Sequence, residues 1–119
     1  MGIVNIKATI TNIDKPGKSA SAEFLVDTGA GYTVVPFQMA KELNLKPTKK
    51  LKFTLADGTK VERNIGYAMI EIDGERAPST VVIGNRGDAA LLGVITLENM
   101  GLIIDPFKRK LRPMKLMLG

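Results

Sequence analysis

Phe24-Leu25-Val26-Asp27-Thr28-Gly29-Ala30-Gly31-Tyr32-Thr33-Val34 is the stretch on which the fold turns. Its first three residues make the apolar end of a strand, and Gly29-Ala30-Gly31 permits a tight loop. Asp27 sits at the boundary. A carboxylate emerging from a buried strand is expected to be desolvated, and burial without a partner is costly. The same Asp can instead cap the loop by accepting backbone N–H bonds, as Asp does in turns. The tripeptide Asp27-Thr28-Gly29 arises by chance in about one chain in forty of this length, given average residue usage. Local features therefore leave both readings open.

On the N-terminal side, Ala20, Ala22, Phe24 and Val26 share one face of a strand by period-two alternation. Val4, Ile6, Ala8 and Ile10 do the same in a strand before it, and Asp14-Lys15-Pro16-Gly17 turns the chain between them. Beyond the loop, Tyr32 to Val35 stay extended. Pro36 suits the first turn of a helix. Pro36, Met39, Ala40 and Leu43 follow the spacing of a core-facing helical stripe, which Asn44 can close in the left-handed conformation.

Leu51, Phe53 and Leu55 then read as a strand reaching Asp57-Gly58, a two-residue hairpin signal. The return strand covers about 59–72, and Asp73-Gly74 repeats the signal before a strand ending in Val81-Val82-Ile83. Asn85-Arg86-Gly87-Asp88 reads as a turn. Its Arg86-Gly87-Asp88 spells an integrin-type tripeptide, but Gly and Asp belong in turns in any case. Ala90-Leu91-Leu92-Gly93 precedes a short helix near 96–100 stopped by Gly101, then Leu102-Ile103-Ile104 and a final strand near 111–117. With no internal repeat and no break in composition, the expectation is a single domain over 1–119: mostly β, barrel-like, with one or two short helices.

Composition narrows the chemistry. The 119 residues include no His, no Cys and no Trp. A chain of this length buries roughly two-thirds of the surface its unfolded form exposes, so a packed core is expected without disulfides. Ser–His–Asp and Cys–His machinery is excluded. A zinc or iron–sulfur site would need carboxylates alone, so no metal or cofactor is expected. Any catalysis must come from Asp, Glu, Lys, Tyr, Ser or Thr. The absence of Cys accords with a reducing compartment. No run of 18 apolar residues exists, and Met1 to Lys7 alternates instead of forming a signal-peptide core, so a soluble, cytoplasmic protein is expected. The formal charge is +5, with Lys108, Arg109, Lys110, Arg112 and Lys115 crowding the C-terminus. That cluster reads as a solvated tail or charged edge strand. Few aromatics accompany it for base stacking, so nucleic acid is not the expected partner.

Taken together, Phe24 to Thr33-Val34, a hairpin, then Leu91-Leu92-Gly93 and a short helix resemble the retropepsin-like aspartic proteases over about residues 20–105. Ile70-Glu71-Ile72-Asp73-Gly74-Glu75-Arg76-Ala77 also looks like the strand-turn-strand that follows the flap in retroviral members. The small single-domain prokaryotic members, with a longer helix after the loop, are the most similar in outline. The resemblance implies a closed barrel-like acid-protease fold active as a homodimer. In it Asp27, Thr28 and Gly29 are catalytic: Asp27 pairs with its symmetry mate, Thr28 bonds across the dimer and Gly29 lets substrate approach. Ala30, Gly31 and the hairpin residues Ala56, Asp57, Gly58 and Thr59 bind substrate, the hairpin acting as a flap over an extended peptide. Leu91-Leu92-Gly93 packs beneath the loop, Gly93 allowing close backbone contact.

A homodimer also answers a chemical need, since carboxylate hydrolysis of a peptide bond takes two carboxylates and this chain offers one Asp-Thr-Gly. Two departures stand out. Retroviral members carry Asp where this chain has Gly31 and Arg where it has Val94. Those side chains form an ion pair, so losing both is coherent where losing one would strand a charge. The expected activity is thus an aspartic endopeptidase acting on extended peptides with apolar residues near the scissile bond. The alternatives are a non-catalytic dimeric module of the same fold that binds peptides by strand addition, and a polyanion binder using the basic C-terminus.

Overall fold

Alternation sends Ala8 and Ile10 of β1 (Asn5–Thr11) inward while Asn5 and Lys7 face water. β1 pairs antiparallel with β2 (Ser19–Val26), matching Ile6 with Phe24, Ala8 with Ala22 and Ile10 with Ala20. Residues directly opposite share a face, so this register stacks one apolar layer beneath the fully buried Phe24. These contacts come from a computed structural model that describes residues 4–119, which form nine strands and two short helices.

The remaining strands are β3 (Thr33–Val35), β4 (Lys49–Thr54), β5 (Lys60–Ile72), β6 (Glu75–Ile83), β7 (Leu91–Leu92), β8 (Leu102–Asp105) and β9 (Lys110–Pro113). Seven of them form one sheet in the order β1-β2-β7-β3-β6-β5-β4. The thirteen-residue β5 closes it: its far half pairs with β1 through Ile10 and Ile70, while its near half pairs with β4. The result is the expected barrel, with the β4–β5 hairpin projecting from it. Ile10, Phe24, Val35, Ile70, Val81 and Leu92 fill the interior.

α1 (Phe37–Glu42) buries Ala40 and ends as expected: Asn44 is left-handed at φ 58°. Asn44 N–H donates to the Lys41 carbonyl and Leu45 N–H to that of Ala40, which satisfies two orphan carbonyls. Pro36 lies just outside the first turn, with extended backbone at ψ 152°, so the helix starts one residue later than its composition suggests. The buried Asn12 bolts this helix end to the β1–β2 turn. Its amide donates to the carbonyls of Leu43 and Asn44 at 2.8 and 3.2 Å, while its Oδ1 accepts from Asp14 and Lys15.

The two Asp-Gly dipeptides make different turns. Asp73 and Gly74 both have positive φ, 49° and 83°, and join Ile72 to Glu75 as the expected two-residue hairpin. At the other, only Gly58 is left-handed, at φ 88°. Gly58 N–H donates to the Leu55 carbonyl and Leu55 N–H to that of Thr59. Ala56-Asp57-Gly58 is therefore a three-residue loop with Gly58 as a bulge, which corrects the two-residue expectation.

β8 and β9 form a separate two-stranded sheet. The final strand stops at Pro113 instead of reaching 117. Its partner β8 begins at Leu102, directly after Gly101 turns the chain at φ 67°, so the ladder runs out. Lys108, Arg109, Lys110, Arg112 and Lys115 are all exposed, in keeping with a solvated edge. Among the described residues no helix is long and apolar enough to cross a membrane, which says nothing of a β-barrel.

Candidate active site

Val26 ends β2 paired in parallel with Leu92 of β7, and Asp27 N–H continues the ladder onto the Leu92 carbonyl at 3.1 Å. The chain then folds back on itself. Asp27 Oδ1 accepts Gly29 N–H at 2.9 Å, and the Asp27 carbonyl accepts Ala30 N–H at 3.0 Å. The capping role open to Asp27 is thus filled by one oxygen; among the described residues no hydrogen bond engages Oδ2. Asp27 is half-exposed and Thr28 exposed. The loop brings the carboxylate to the barrel surface, where Asp27 is partly buried.

From the other side, α2 (Val94–Asn99) begins against this loop. Val94 N–H donates to the Ala30 carbonyl and Ile95 N–H to the Gly31 carbonyl, both at 2.9 Å. Those two bonds start the helix two residues before the expected Thr96, since the first-turn amides find acceptors across the fold. Gly93 sits in the crossing. A Cβ there would stand 2.4 Å from the Tyr32 carbonyl carbon and 2.6 Å from the Gly31 and Tyr32 oxygens, so only glycine fits. Gly31 is different: an added Cβ would meet only Ile95 Cδ1, at 3.8 Å, so the position of the missing retroviral Asp has room.

Beneath the loop lie three hydroxyls, Thr33, Thr96 and Ser79, all buried and hydrogen-bonded to one another. Thr33 carries part of the family resemblance. Thr96 and Ser79 were not singled out from sequence, although Ser79 stands between Ala77 and Val81 on an inward face where a polar residue needs a partner.

The β4–β5 hairpin meets the far end of the Asp27 loop. Cross-strand pairs place Leu51 with Arg63 and Phe53 with Val61 on the face towards the barrel, all half-buried, while Lys50, Lys52 and Lys60 point to water. Phe53 meets Tyr32 edge-on at 5.7 Å, so the hairpin touches the end of the Asp27 loop at this aromatic pair. Ala56, Asp57, Gly58 and Thr59 form the exposed tip, Asp57 shaping it by accepting Thr59 N–H at 2.9 Å.

Arg63 anchors the hairpin's base. Its guanidinium grips Asp88 through two bonds of 2.7 and 3.0 Å, and Asp88 also accepts Asn85 N–H at 2.8 Å. The Arg-Gly-Asp run is thereby accounted for: Gly87 turns at φ 89°, Asp88 is clasped and Arg86 lies over the Phe37 ring at 4.5 Å. The hydrogen bond from Arg63 holds the Asp88 carboxyl below the ordinary carboxylate range, against the opposing effect of burial. A depressed group stabilises the fold above its unfolded value, near pH 3.9, and loses that contribution as pH falls through the folded value. Asp88→Asn is therefore expected to cost about 1–2 kcal/mol at neutral pH. The melting-temperature gap to wild type, about 5 °C, should hold to about pH 5 and close below pH 4, as a pH series of thermal melts would read.

Among the described residues no group of three or more Asp or Glu side chains is placed to hold a metal. A closed barrel carrying an Asp-Thr-Gly loop beside a Leu-Leu-Gly strand, with a projecting hairpin, defines a retropepsin-like fold. Residues 17–99 match the family described as "gag-polyprotein putative aspartyl protease", and the chain belongs to that family. The simian foamy virus (mac) protease is a similar solved structure, with a TM-score of 0.53 and 17% identity over 80% of this chain and 89% of that one. That likeness concerns the fold. A retropepsin-like aspartic protease from Rickettsia conorii aligns with a TM-score of 0.49 and 25% identity over 87% of this chain and 85% of that one. No curated protein matches the sequence.

Proposed function

We propose that the protein is an aspartic endopeptidase whose active unit is a two-fold homodimer with paired Asp27 carboxylates. The carrying observation is the half-exposed Asp27, held by its backbone and Oδ1 on an interlocked loop with Oδ2 left for chemistry. An isologous two-fold through this loop brings the two carboxylates together. At about 3 Å they cannot both ionise cheaply and share one proton. A water between them attacks the scissile carbonyl carbon while the ionised carboxylate takes its proton. The protonated partner gives its proton to the carbonyl oxygen, forming a gem-diol. Collapse of the gem-diol breaks the C–N bond as one carboxyl gives its proton to the leaving amine and the ionised carboxylate takes a proton from a diol hydroxyl, which restores the shared-proton pair. No metal or cofactor is required.

In this reading Thr28, exposed beside Asp27, bonds across the dimer, and Gly29 admits the substrate backbone. Ala30 and Gly31 border the extended peptide, and the tip at Ala56, Asp57, Gly58 and Thr59 closes over it. The apolar inner face of Leu51, Phe53 and Val61, continued by Tyr32, favours apolar side chains near the cleaved bond. The test is incubation with a diverse peptide library from mildly acidic to neutral pH, with products read by mass spectrometry. Cleavage between apolar residues is expected. A folded dimer that binds peptides without cutting any would overturn the enzyme in favour of a peptide-binding module.

Each copy holds half of the cleft, so specific activity should fall on dilution in step with the dimer fraction measured by sedimentation. Full activity in a preparation shown to be monomeric would sink the paired mechanism.

A further inference from the structure

Gly93, Thr33, Thr96 and Ser79 form one chain of hydrogen bonds, and one proton order gives every hydroxyl in it both an acceptor and a donor. In that order Ser79 Oγ donates to the Thr80 carbonyl at 3.1 Å. It then accepts from Thr96, 2.8 Å away. Thr96, its own proton given, accepts from Thr33 at 2.6 Å. Thr33 is left to accept, and takes Gly93 N–H at 3.0 Å. Thr33 and Thr96 are 0% exposed and Ser79 is 3% exposed, so water cannot substitute for a missing member.

The chain ends at a consequential peptide group. Gly93 N–H and the Leu92 carbonyl belong to one rigid plane. The first is held by Thr33, and the second receives Asp27 N–H at 3.1 Å. Tilting that plane moves the backbone that aims the Asp27 carboxylate. Thr96 is the middle link, and it reaches Asp27 only through Thr33 and the 92–93 peptide.

We propose that Thr96 is a positioning residue for the Asp27 reaction, its hydroxyl orienting the 92–93 peptide through a one-way relay. The proposal rests on the endopeptidase reading for its kinetic readout and on backbone geometry alone for a second one. Thr96→Val keeps the shape but cannot accept the Thr33 proton. Ser79→Ala cuts the relay one link further away, and Thr96→Ser preserves it. The experiment measures kcat and KM on a cleaved library peptide, at a temperature where circular dichroism shows each variant fully folded. Amide hydrogen exchange at Asp27 and Gly93 is measured by NMR on the same samples.

Thr96→Val should lower kcat about 10–100-fold with KM within about threefold, because a misplaced reacting group costs rate more than binding. Exchange at the Asp27 and Gly93 amides should rise at least about tenfold over a distant core amide such as Ile70. Ser79→Ala should show smaller changes in the same direction, and Thr96→Ser should restore both readouts. An unchanged kcat, or exchange at Asp27 rising no more than at Ile70, overturns the positioning role. If Thr96→Val does not fold, Ser79→Ala decides by the same two criteria. If the wild type cleaves nothing, the endopeptidase reading fails while the exchange measurement still accepts or rejects the relay.

Discussion

Asp27→Asn is expected to abolish peptide cleavage, by at least about 10³–10⁴-fold, while the protein still folds and self-associates. The amide has the size and shape of the carboxyl, and its oxygen can still accept Gly29 N–H, the 2.9 Å bond that shapes the loop. What it cannot do, in the proposed dimer, is take a proton from water or share one with its symmetry mate. Both copies carry the substitution, so neither general base nor general acid survives. Stability should change little, because Asp27 is half-exposed and the loop is held mainly by backbone bonds to Leu92, Val94 and Ile95. Dimerisation should hold or tighten, since two adjacent carboxylates no longer repel. Mass-spectrometric detection of products, run beside sedimentation, checks both halves. Cleavage by the variant at wild-type rates would remove Asp27 from the chemistry.

The second large effect is structural. Gly93→Ala should lower the melting temperature by about 10–15 °C, from about 3 kcal/mol or more of overpacking, and eliminate activity. Its Cβ would enter the space of the Tyr32 carbonyl carbon at 2.4 Å and of two carbonyl oxygens at 2.6 Å. Those atoms are backbone and cannot rotate aside, so the Asp27 loop and the start of α2 must separate. The bonds from Val94 to Ala30 and from Ile95 to Gly31 stretch with them. Gly17→Ala is the matched control: an added Cβ there meets nothing within 4 Å, and its melting temperature should stay near wild type. Equal melting of the two variants would mean that the crossing at Gly93 is looser than its geometry.

Much of the barrel was readable one residue at a time. Alternation placed Ala8, Ile10 and Phe24 correctly because a strand's faces are set by period two. Asn44 ended its helix as expected, because few residues tolerate positive φ. Asp73-Gly74 made its two-residue turn for the same reason. Asp57-Gly58 did not, although the dipeptide is identical. Bonding Leu55 to Thr59 leaves three residues to connect, whereas pairing Ile72 with Glu75 leaves two, and register is a property of both strands together.

The candidate site divides along the same line. The sequence by itself determined the Asp-Thr-Gly loop at a strand end, the hairpin downstream, the glycine after two leucines and the absence of His and Cys chemistry. Each is a statement about neighbours in the chain. Only the tertiary structure decided that Thr33 meets Thr96 sixty-three residues away, that Arg63 grips Asp88, and that Asp27 stands half-exposed. It also decided that α2 starts at Val94. Barrel closure through β1 and β5 fixes which distant backbones cross. At those crossings, buried donors and acceptors must find one another because water cannot reach them.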